Sequence, residues 1–395
     1  MLRVTHILEA TVGGTARHLL DVGCGLAGEG FQVEALLSAR PEESFAEGAR
    51  RLAAAGVAVT WVPMVRELSP RDDARAARLL AAHLRHSRPD LVHTHSSKAG
   101  ALGRLAATLA RVPVVVHSPH AFAFQMRVGT ARRGLYLAIE RALARRTHCL
   151  VAVSAAEAAL ACSRAGYPKE RVAIIENGVD PEGAAPPEEG AALRRELGIA
   201  PAAPVVLFAG RLVEQKAPEV LVAAAVAVLD RHPNAVFLLA GEGPLRPRLG
   251  AEIARAGRTA SIRLLGHRSD MARLYATAQL FVLPARWEGL PYALLDALRA
   301  GLPVVASEIP ALREVVVHAD AGLLVPPDDP PALAAAMARL LDDPAGAARL
   351  GAAGRACVRE HYTVQRQVRQ LAALYRRLAA GCRAPGGNET APGVV

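Results

Sequence analysis

Lysine is almost missing from this 395-residue chain: three of its 47 basic residues are lysine, at Lys98, Lys169 and Lys216. With alanine, glycine and proline abundant, that usage points to a GC-rich genome. Much of the net charge of +10 is then arginine on solvated helix faces. A basic surface still favours anionic partners such as nucleotide phosphates or a lipid face. Aromatic residues make up only 4% of the chain and do not interleave the basic runs, so nucleic-acid binding is not indicated. The five cysteines are scattered and form no C-x-x-C, which argues against a disulfide framework or a zinc site and for a reducing cytoplasm. None of the thirteen aspartates forms D-x-D, so a metal-bridged diphosphate site lacks its usual ligands. The longest apolar run, Val220 to Leu229, is too short to cross a bilayer and reads as a buried helix. His6 and Glu9 interrupt the opening residues, which makes a poor secretion signal.

What is present is an alternation of short β-rich runs with Ala/Leu/Arg helical stretches, the pattern of βα units on parallel sheets. Six strands are expected in the first half, near Val4–Leu8, Val33–Leu37, Val57–Val62, Leu91–His95, Val112–His117 and Leu150–Val153. Six more follow, near Val205–Ala209, Ala235–Ala240, Ile262–Leu265, Leu280–Leu283, Val304–Ala306 and Leu323–Val325. The Gly/Pro-rich stretch Asn177 to Pro187 breaks helix and strand alike and marks the domain boundary. The expected plan is α/β, with two Rossmann-like βα domains facing a central cleft and C-terminal helices after the second. Domain limits are placed at 1–180, a linker at 181–200, a second domain at 201–380 and a disordered tail at 381–395.

The most informative stretch is Glu288-Gly289-Leu290-Pro291-Tyr292-Ala293-Leu294-Leu295-Asp296. It puts Glu288 at the carboxyl end of a buried strand and Asp296 in the following helix. Open α/β sheets bind ligands beyond such strand ends, and carboxylates there accept hydrogen bonds from a polyol. Gly210-Arg211-Leu212-Val213-Glu214-Gln215-Lys216 follows the first strand of the second half, so Arg211 and Lys216 can embrace a diphosphate from one loop. Gly13-Gly14 sits between the first strand and a helix, where backbone can approach an anion closely. Gly23-Cys24-Gly25-Leu26-Ala27-Gly28 matches G-x-G-x-x-G, but it ends a helix instead of opening one, so a nicotinamide site is not expected. His93 and His95 share one face of a strand end. His117 and His120 end the next strand, with no Cys or carboxylate beside them to complete a metal set. His120 stands just past a proline and is followed by Phe122, Phe124 and Met126. This segment fits an acceptor or membrane-contacting loop, and equally a plain hydrophobic strand.

Together these pieces resemble the retaining, two-domain glycosyltransferases of family 4, of the GT-B architecture. The resemblance runs from about Val4 to Leu378. Its carriers, in order, are Gly13-Gly14, His120, Asn177-Gly178-Val179-Asp180, Gly210-Arg211-Leu212 with Lys216, Gly241-Glu242-Gly243-Pro244, and Trp287-Glu288-Gly289-Leu290-Pro291 through Asp296. Ala300-Gly301-Leu302-Pro303 and Leu324-Val325-Pro326-Pro327 extend it. The first half looks like members that build bacterial exopolysaccharide or other surface glycans.

The resemblance implies catalytic roles for His120 and Glu288. It implies donor binding by Gly13, Gly14, Arg211, Lys216, Glu288, Gly289, Leu290 and Asp296, with Asp296 on the ribose. His95, Phe122 and Phe124 are the acceptor-side candidates. No metal or other cofactor is expected. The expected partners are a nucleotide-diphosphate sugar, a glycan or lipid-linked acceptor and an anionic membrane surface, with no nucleic acid. The expected location is the cytoplasm, peripheral on the inner membrane face, where Arg127, Arg132, Arg133, Arg141, Arg145 and Arg146 follow the aromatic segment. The chain departs from the family at Asp296, where Glu is usual, and at Ala121 and Ala217, where glycine commonly stands. The glycine pair often found near Ile309–Ala311 is also missing. A nucleotide-sugar epimerase of the same architecture, or a silent sugar-nucleotide-binding subunit, are the competing readings.

Overall fold

The structure, a computed structural model, describes residues 1–38, 45–65 and 67–383. The chain divides into two compact units, Met1–Asn177 with the segment from Val364, and Gly178–Thr363.

The first unit holds seven strands: β1 (Arg3–Leu8), β2 (Gln32–Leu37), β3 (Ala58–Trp61), β4 (Leu91–His95), β5 (Val114–Ser118), β6 (Cys149–Ala152) and β7 (Val172–Ile174). Their order is β3-β2-β1-β4-β5-β6-β7, and every pairing is parallel. The second unit holds β8 (Val205–Ala209), β9 (Val236–Ala240), β10 (Ile262–Gly266), β11 (Leu280–Leu283), β12 (Val304–Ser307) and β13 (Gly322–Val325). They run in the order β10-β9-β8-β11-β12-β13, again parallel. Helices cover both faces, which is why β8, β9 and β11 are continuous apolar runs buried throughout. In each sheet the winding direction reverses once, between β1 and β4 and between β8 and β11. Loops leaving the carboxyl ends of those strand pairs diverge and open a crevice.

All twelve expected strands are present, with ends displaced by no more than two residues. The unexpected one is β7, a three-residue Val-Ala-Ile too short to stand out from its surroundings. Two domain limits need correction. Residues 181–200 are not a bare linker, because helix Pro187–Glu196 packs on helix Met271–Thr277 of the second unit. Nor does the second unit reach residue 380: the helix Val364–Arg383 belongs to the first. Its Leu371, Ala372, Leu374 and Tyr375 are buried in the core around β1 and helix Gly13–Gly28. The fit is close, since a Cβ on Gly25 would lie 2.4 Å from Val368. That contact gives the G-x-G-x-x-G segment a packing role inside the helix. Gly381 to Arg383 complete the same helix, and residues 384–395 of the expected tail lie outside the described residues. Among the described residues no helix is long and apolar enough to cross a membrane.

One buried ion pair ties the helices of the first unit together. Arg104, fully buried in helix Ser97–Ala110, donates to both carboxylate oxygens of Glu140 at 2.7 and 2.8 Å and to the Tyr167 hydroxyl at 2.8 Å. Burial alone raises the Glu140 carboxyl, but the adjacent guanidinium outweighs it and brings the pKa down to about 2. Glu140→Ala leaves a buried guanidinium without its counter-charge. It is expected to cost roughly 3–5 kcal/mol in denaturant unfolding, and a loss below about 1 kcal/mol would contradict this account.

Candidate active site

In the second unit the site is built where β8 and β11 lie side by side. The loop after β8 carries Gly210 to Ala217, and the loop after β11 carries Pro284 to Pro291. Backbone and side chain stitch the two together. The Arg286 amide donates to the Gln215 carbonyl at 2.8 Å, and Gln215 Nε2 donates to the Trp287 carbonyl at 3.0 Å. The Arg286 guanidinium also reaches the Glu214 carbonyl at 2.6 Å and the carboxylates of Glu219 and Asp328 at 2.7 Å. The Gly241–Gly243 turn braces the first loop from behind, since a Cβ on Gly241 would lie 2.0 Å from the Gly210 carbonyl oxygen. With both loops fixed, Lys216 Nζ meets Glu288 Oε1 at 2.5 Å. The two side chains are only 13% and 6% exposed, so this is a nearly buried pair. Arg211 lies on the same loop and is exposed. Gly289 and Leu290 are buried beneath the turn. Asp296, in helix Tyr292–Arg299, is buried and pairs with Arg299 at 3.1 Å, and Arg299 also donates to the Asp180 carbonyl.

In the first unit the reversal between β1 and β4 gathers histidines. β4 reads Leu-Val-His-Thr-His and is buried at every position, so its polar side chains must find partners inside. His6 Nδ1 lies 2.9 Å from His95 Nε2, and His95 Nδ1 lies 3.2 Å from His120 Nε2. His93 bonds to the Tyr375 hydroxyl at 2.5 Å and to Ser118 Oγ at 2.9 Å. His18 bonds to Asn177 Oδ1 at 3.1 Å, beside Gln367. Burial is the main cause that holds all of these rings, and His117, below the ordinary imidazole pKa: to about 3 for His6 and His117, about 4 for His18, and well below the usual value for His93, His95 and His120. Neutral imidazoles can ligate metal. The ring nitrogens of His6, His93 and His95, and of His18, His95 and His120, lie within 4.8 Å of one another. Near them the helix Gly13–Gly28 begins without a side-chain cap, with Gly13 (φ 69°) and Gly14 exposed at its free N–H groups.

His120 alone of this chain of rings is partly exposed, and His95 lies fully buried behind it. The acceptor-side set of His95, Phe122 and Phe124 is therefore corrected. Phe122 and Phe124 stack at 4.7 Å in a buried cluster with Leu150 and Tyr167, and the segment is a 3-10 turn, neither a strand nor an apolar edge. The two alanines standing where the family resemblance leads one to expect glycine both adopt left-handed backbone, Ala121 at φ 82° and Ala217 at φ 48°. His120 does so as well, at φ 51°. The side chains that sequence reasoning missed are His6, His18, Arg299 and Glu157. Glu157 had a signal, the Ser154-x-x-Glu157 pattern of a helix start. Burial raises its carboxyl to about 7, against the opposing hydrogen bonds it accepts from the Ala121 and Val153 amides.

Two family models match the chain: "Glycosyltransferase Family 4" over residues 12–182 and "Glycosyl transferases group 1" over residues 203–343. Among curated relatives, the Escherichia coli UDP-Gal:alpha-D-GlcNAc-diphosphoundecaprenol alpha-1,3-galactosyltransferase is 32% identical over 72% of this chain and 74% of its own. The Rhizobium meliloti lipopolysaccharide core biosynthesis mannosyltransferase LpsB is 31% identical over 52% of this chain and 60% of its own. A solved structure of Anabaena Alr3699/HepE in complex with UDP and glucose superposes with a TM-score of 0.82 at 21% identity, covering 95% of this chain and all of that one. That last likeness is one of fold, the GT-B plan of two parallel-sheet α/β units.

Proposed function

The chain belongs to the glycosyltransferases built from family 4 and group 1 domains, and from that premise we propose that it moves a sugar from a nucleotide-diphosphate donor to a hydroxyl of a glycan or lipid-linked acceptor, with retention of configuration and without a metal. The observation that carries this reading is the nearly buried Lys216–Glu288 pair at the β8/β11 reversal, with Arg211 on the same loop. A sugar diphosphate brings both complements at once. Its phosphates take Lys216 and Arg211, and its hydroxyls take the carboxylate that Lys216 releases. Breaking the sugar–phosphate bond builds charge on the diphosphate, and fixed cations stabilise that charge without proton transfer. His120 supplies a hydrogen bond to the reacting sugar, the Gly13-Gly14 helix start favours the phosphate, and Asp296 holds the ribose. A sugar acceptor on a lipid diphosphate agrees with the chemistry named for the Escherichia coli relative.

The test is incubation with UDP-galactose, UDP-glucose and GDP-mannose and a sugar-lipid diphosphate acceptor, with products resolved. Free nucleoside diphosphate plus glycoside is expected. An isomerised nucleotide sugar would establish the epimerase reading instead, which no relative named here supports. EDTA is expected to leave turnover unchanged; turnover abolished by EDTA and restored by Mg²⁺ or Mn²⁺ would overturn metal independence.

We place the enzyme at the cytoplasmic membrane face. The helix Thr130–Ala144 supports this: it is exposed over most of its length, with Arg132, Arg133 and Arg141 along it and Arg145 and Arg146 at its end. Met126 and Leu135, 41% and 49% exposed, supply the apolar contact in place of Phe122 and Phe124. The protein is expected to sediment with phosphatidylglycerol vesicles more than with phosphatidylcholine ones. Neutralising Arg132, Arg133, Arg145 and Arg146 should remove the difference, and equal partitioning of the wild type excludes the idea.

A further inference from the structure

His120 and Ala121 stand in the left-handed region one after the other, at φ 51° and 82°, and neither is glycine. Such backbone is strained for a residue that carries a Cβ and persists only where its surroundings impose it. Something must hold this turn: Gln125 Oε1 accepts from the Phe122 amide just after it at 2.9 Å, and the side chain that reaches the Ala121 amide itself is Glu157. Glu157 is 2% exposed and lies at the start of helix Ala155–Leu160. Its backbone amide is capped by Ser154 Oγ at 3.1 Å, and its Oε2 accepts from the Val153 amide at 2.9 Å. Those two bonds are ordinary helix-start bonds. The other oxygen is not used by the helix. Oε1 crosses to the loop after β5 and accepts from the Ala121 amide at 2.6 Å. The ring of His120 is held independently, by His95 and through it His6.

We propose that Glu157 is a positioning residue for the transfer reaction: its carboxylate clamps the Ala121 amide and so holds the left-handed His120–Ala121 turn that aims the His120 ring. The inference rests on the reading of His120 as the group that meets the sugar. With glycine at position 121 the turn would form at little cost, so alanine there makes the clamp necessary. A misplacement of the order of 1 Å in such a group lowers turnover by up to about 10²-fold.

Three variants at pH 8 test it, using the donor selected from UDP-galactose, UDP-glucose and GDP-mannose. Glu157→Gln puts an amide NH₂ against one of the two backbone N–H groups. It should lower kcat by about 10- to 10²-fold, with donor KM and UDP affinity within about twofold of wild type, and should speed hydrogen exchange in the 118–124 segment. Adding Ala121→Gly to it should recover part of kcat, since the turn then needs less holding. His120→Ala should be inactive. If Glu157→Gln does not accumulate as folded protein, Glu157→Asp, which keeps the charge and shortens the reach, carries the same expectations. Unchanged exchange in 118–124, or a kcat loss that Ala121→Gly leaves untouched, overturns the clamp. Faster exchange with wild-type kcat in both Glu157→Gln and His120→Ala overturns instead the role given to His120, and with it the clamp's part in the reaction.

Discussion

Lys216→Ala is expected to cut turnover by roughly 10²-fold or more, the scale for losing one group that stabilises charge developing on a leaving oxygen. Loop position alone would suggest that the fold is indifferent to this change, as it should be for exposed Arg211. The geometry says otherwise. Lys216 is the counter-charge of a carboxylate whose side chain is 6% exposed, and removing it leaves Glu288 nearly buried without its partner. Breaking such a pair from one side costs about 3–5 kcal/mol, so Lys216→Ala should lose both rate and stability. Arg211→Ala should lose rate by a similar factor and keep its melting temperature. The double change Lys216→Met with Glu288→Gln separates the effects, because it removes the orphaned charge: stability should return towards wild type while turnover stays lost. Either single variant turning over near the wild-type rate would place the diphosphate elsewhere. A Lys216→Ala protein as stable as wild type would mean that Glu288 finds water or another donor.

How much of this was visible in the sequence differs between the two units, for a physical reason. In the second unit the candidate site residues are charged and stand in the loops that follow apolar strands, so the change of composition at Gly210 and at Pro284 marks both the strand end and the candidate site. Adjacency of β8 and β11, which brings Lys216 to Glu288, follows from topology and has no local signature. In the first unit four of the six clustered histidines lie inside the strands. His6, His93 and His95 occupy positions that an apolar pattern assigns to the core, and they are in the core. Their setting is completed from far along the chain: Tyr375 stands 282 residues beyond His93, and Gln367 stands 349 residues beyond His18. Alternate aromatic residues at Phe122 and Phe124 read as a contacting loop or a plain hydrophobic strand, whereas the turn stacks both inward. The C-terminal helix misled for a different cause: its apolar face announces burial but not which unit buries it. Asp296 is a middle case. Its place in the helix is readable from the sequence, and the i,i+3 spacing permits its pairing with Arg299, one turn on, without fixing it.

Acid should unfold the first unit at a pH where most proteins of this kind are still stable. His6, His18, His93, His95 and His117 are buried and His120 is partly exposed, and desolvation is the leading cause of every one of these lowered pKa values. In the unfolded chain each binds a proton near pH 6.5. Between that pH and the folded values, about 3 to 4 where they are resolved, the unfolded state holds more protons than the folded one. Stability from these groups is therefore complete above about pH 6.5 and falls as pH falls below it. Each group contributes up to about 1.4 kcal/mol per pH unit, so the three with resolved folded values amount to roughly 6 kcal/mol by about pH 5, within the range of a whole domain's stability. Glu157 works the other way, since its carboxyl is raised to about 7 and its folded form takes up a proton as pH falls from 7 towards the usual carboxylate range. One such group offsets about one histidine. The melting temperature should thus be flat from pH 8 to 7 and drop steeply between pH 6.5 and 5. Hydrogen exchange should locate the first opening at β1, β4 and β5. Replacing His117 by glutamine, which cannot take up a proton, should flatten the slope by up to about 1.4 kcal/mol per pH unit. A melting temperature that stays constant from pH 7 to pH 5 would mean that these rings are reached by water, or are held by a bound metal ion that keeps protons off them, and zinc analysis of the purified protein distinguishes those two cases.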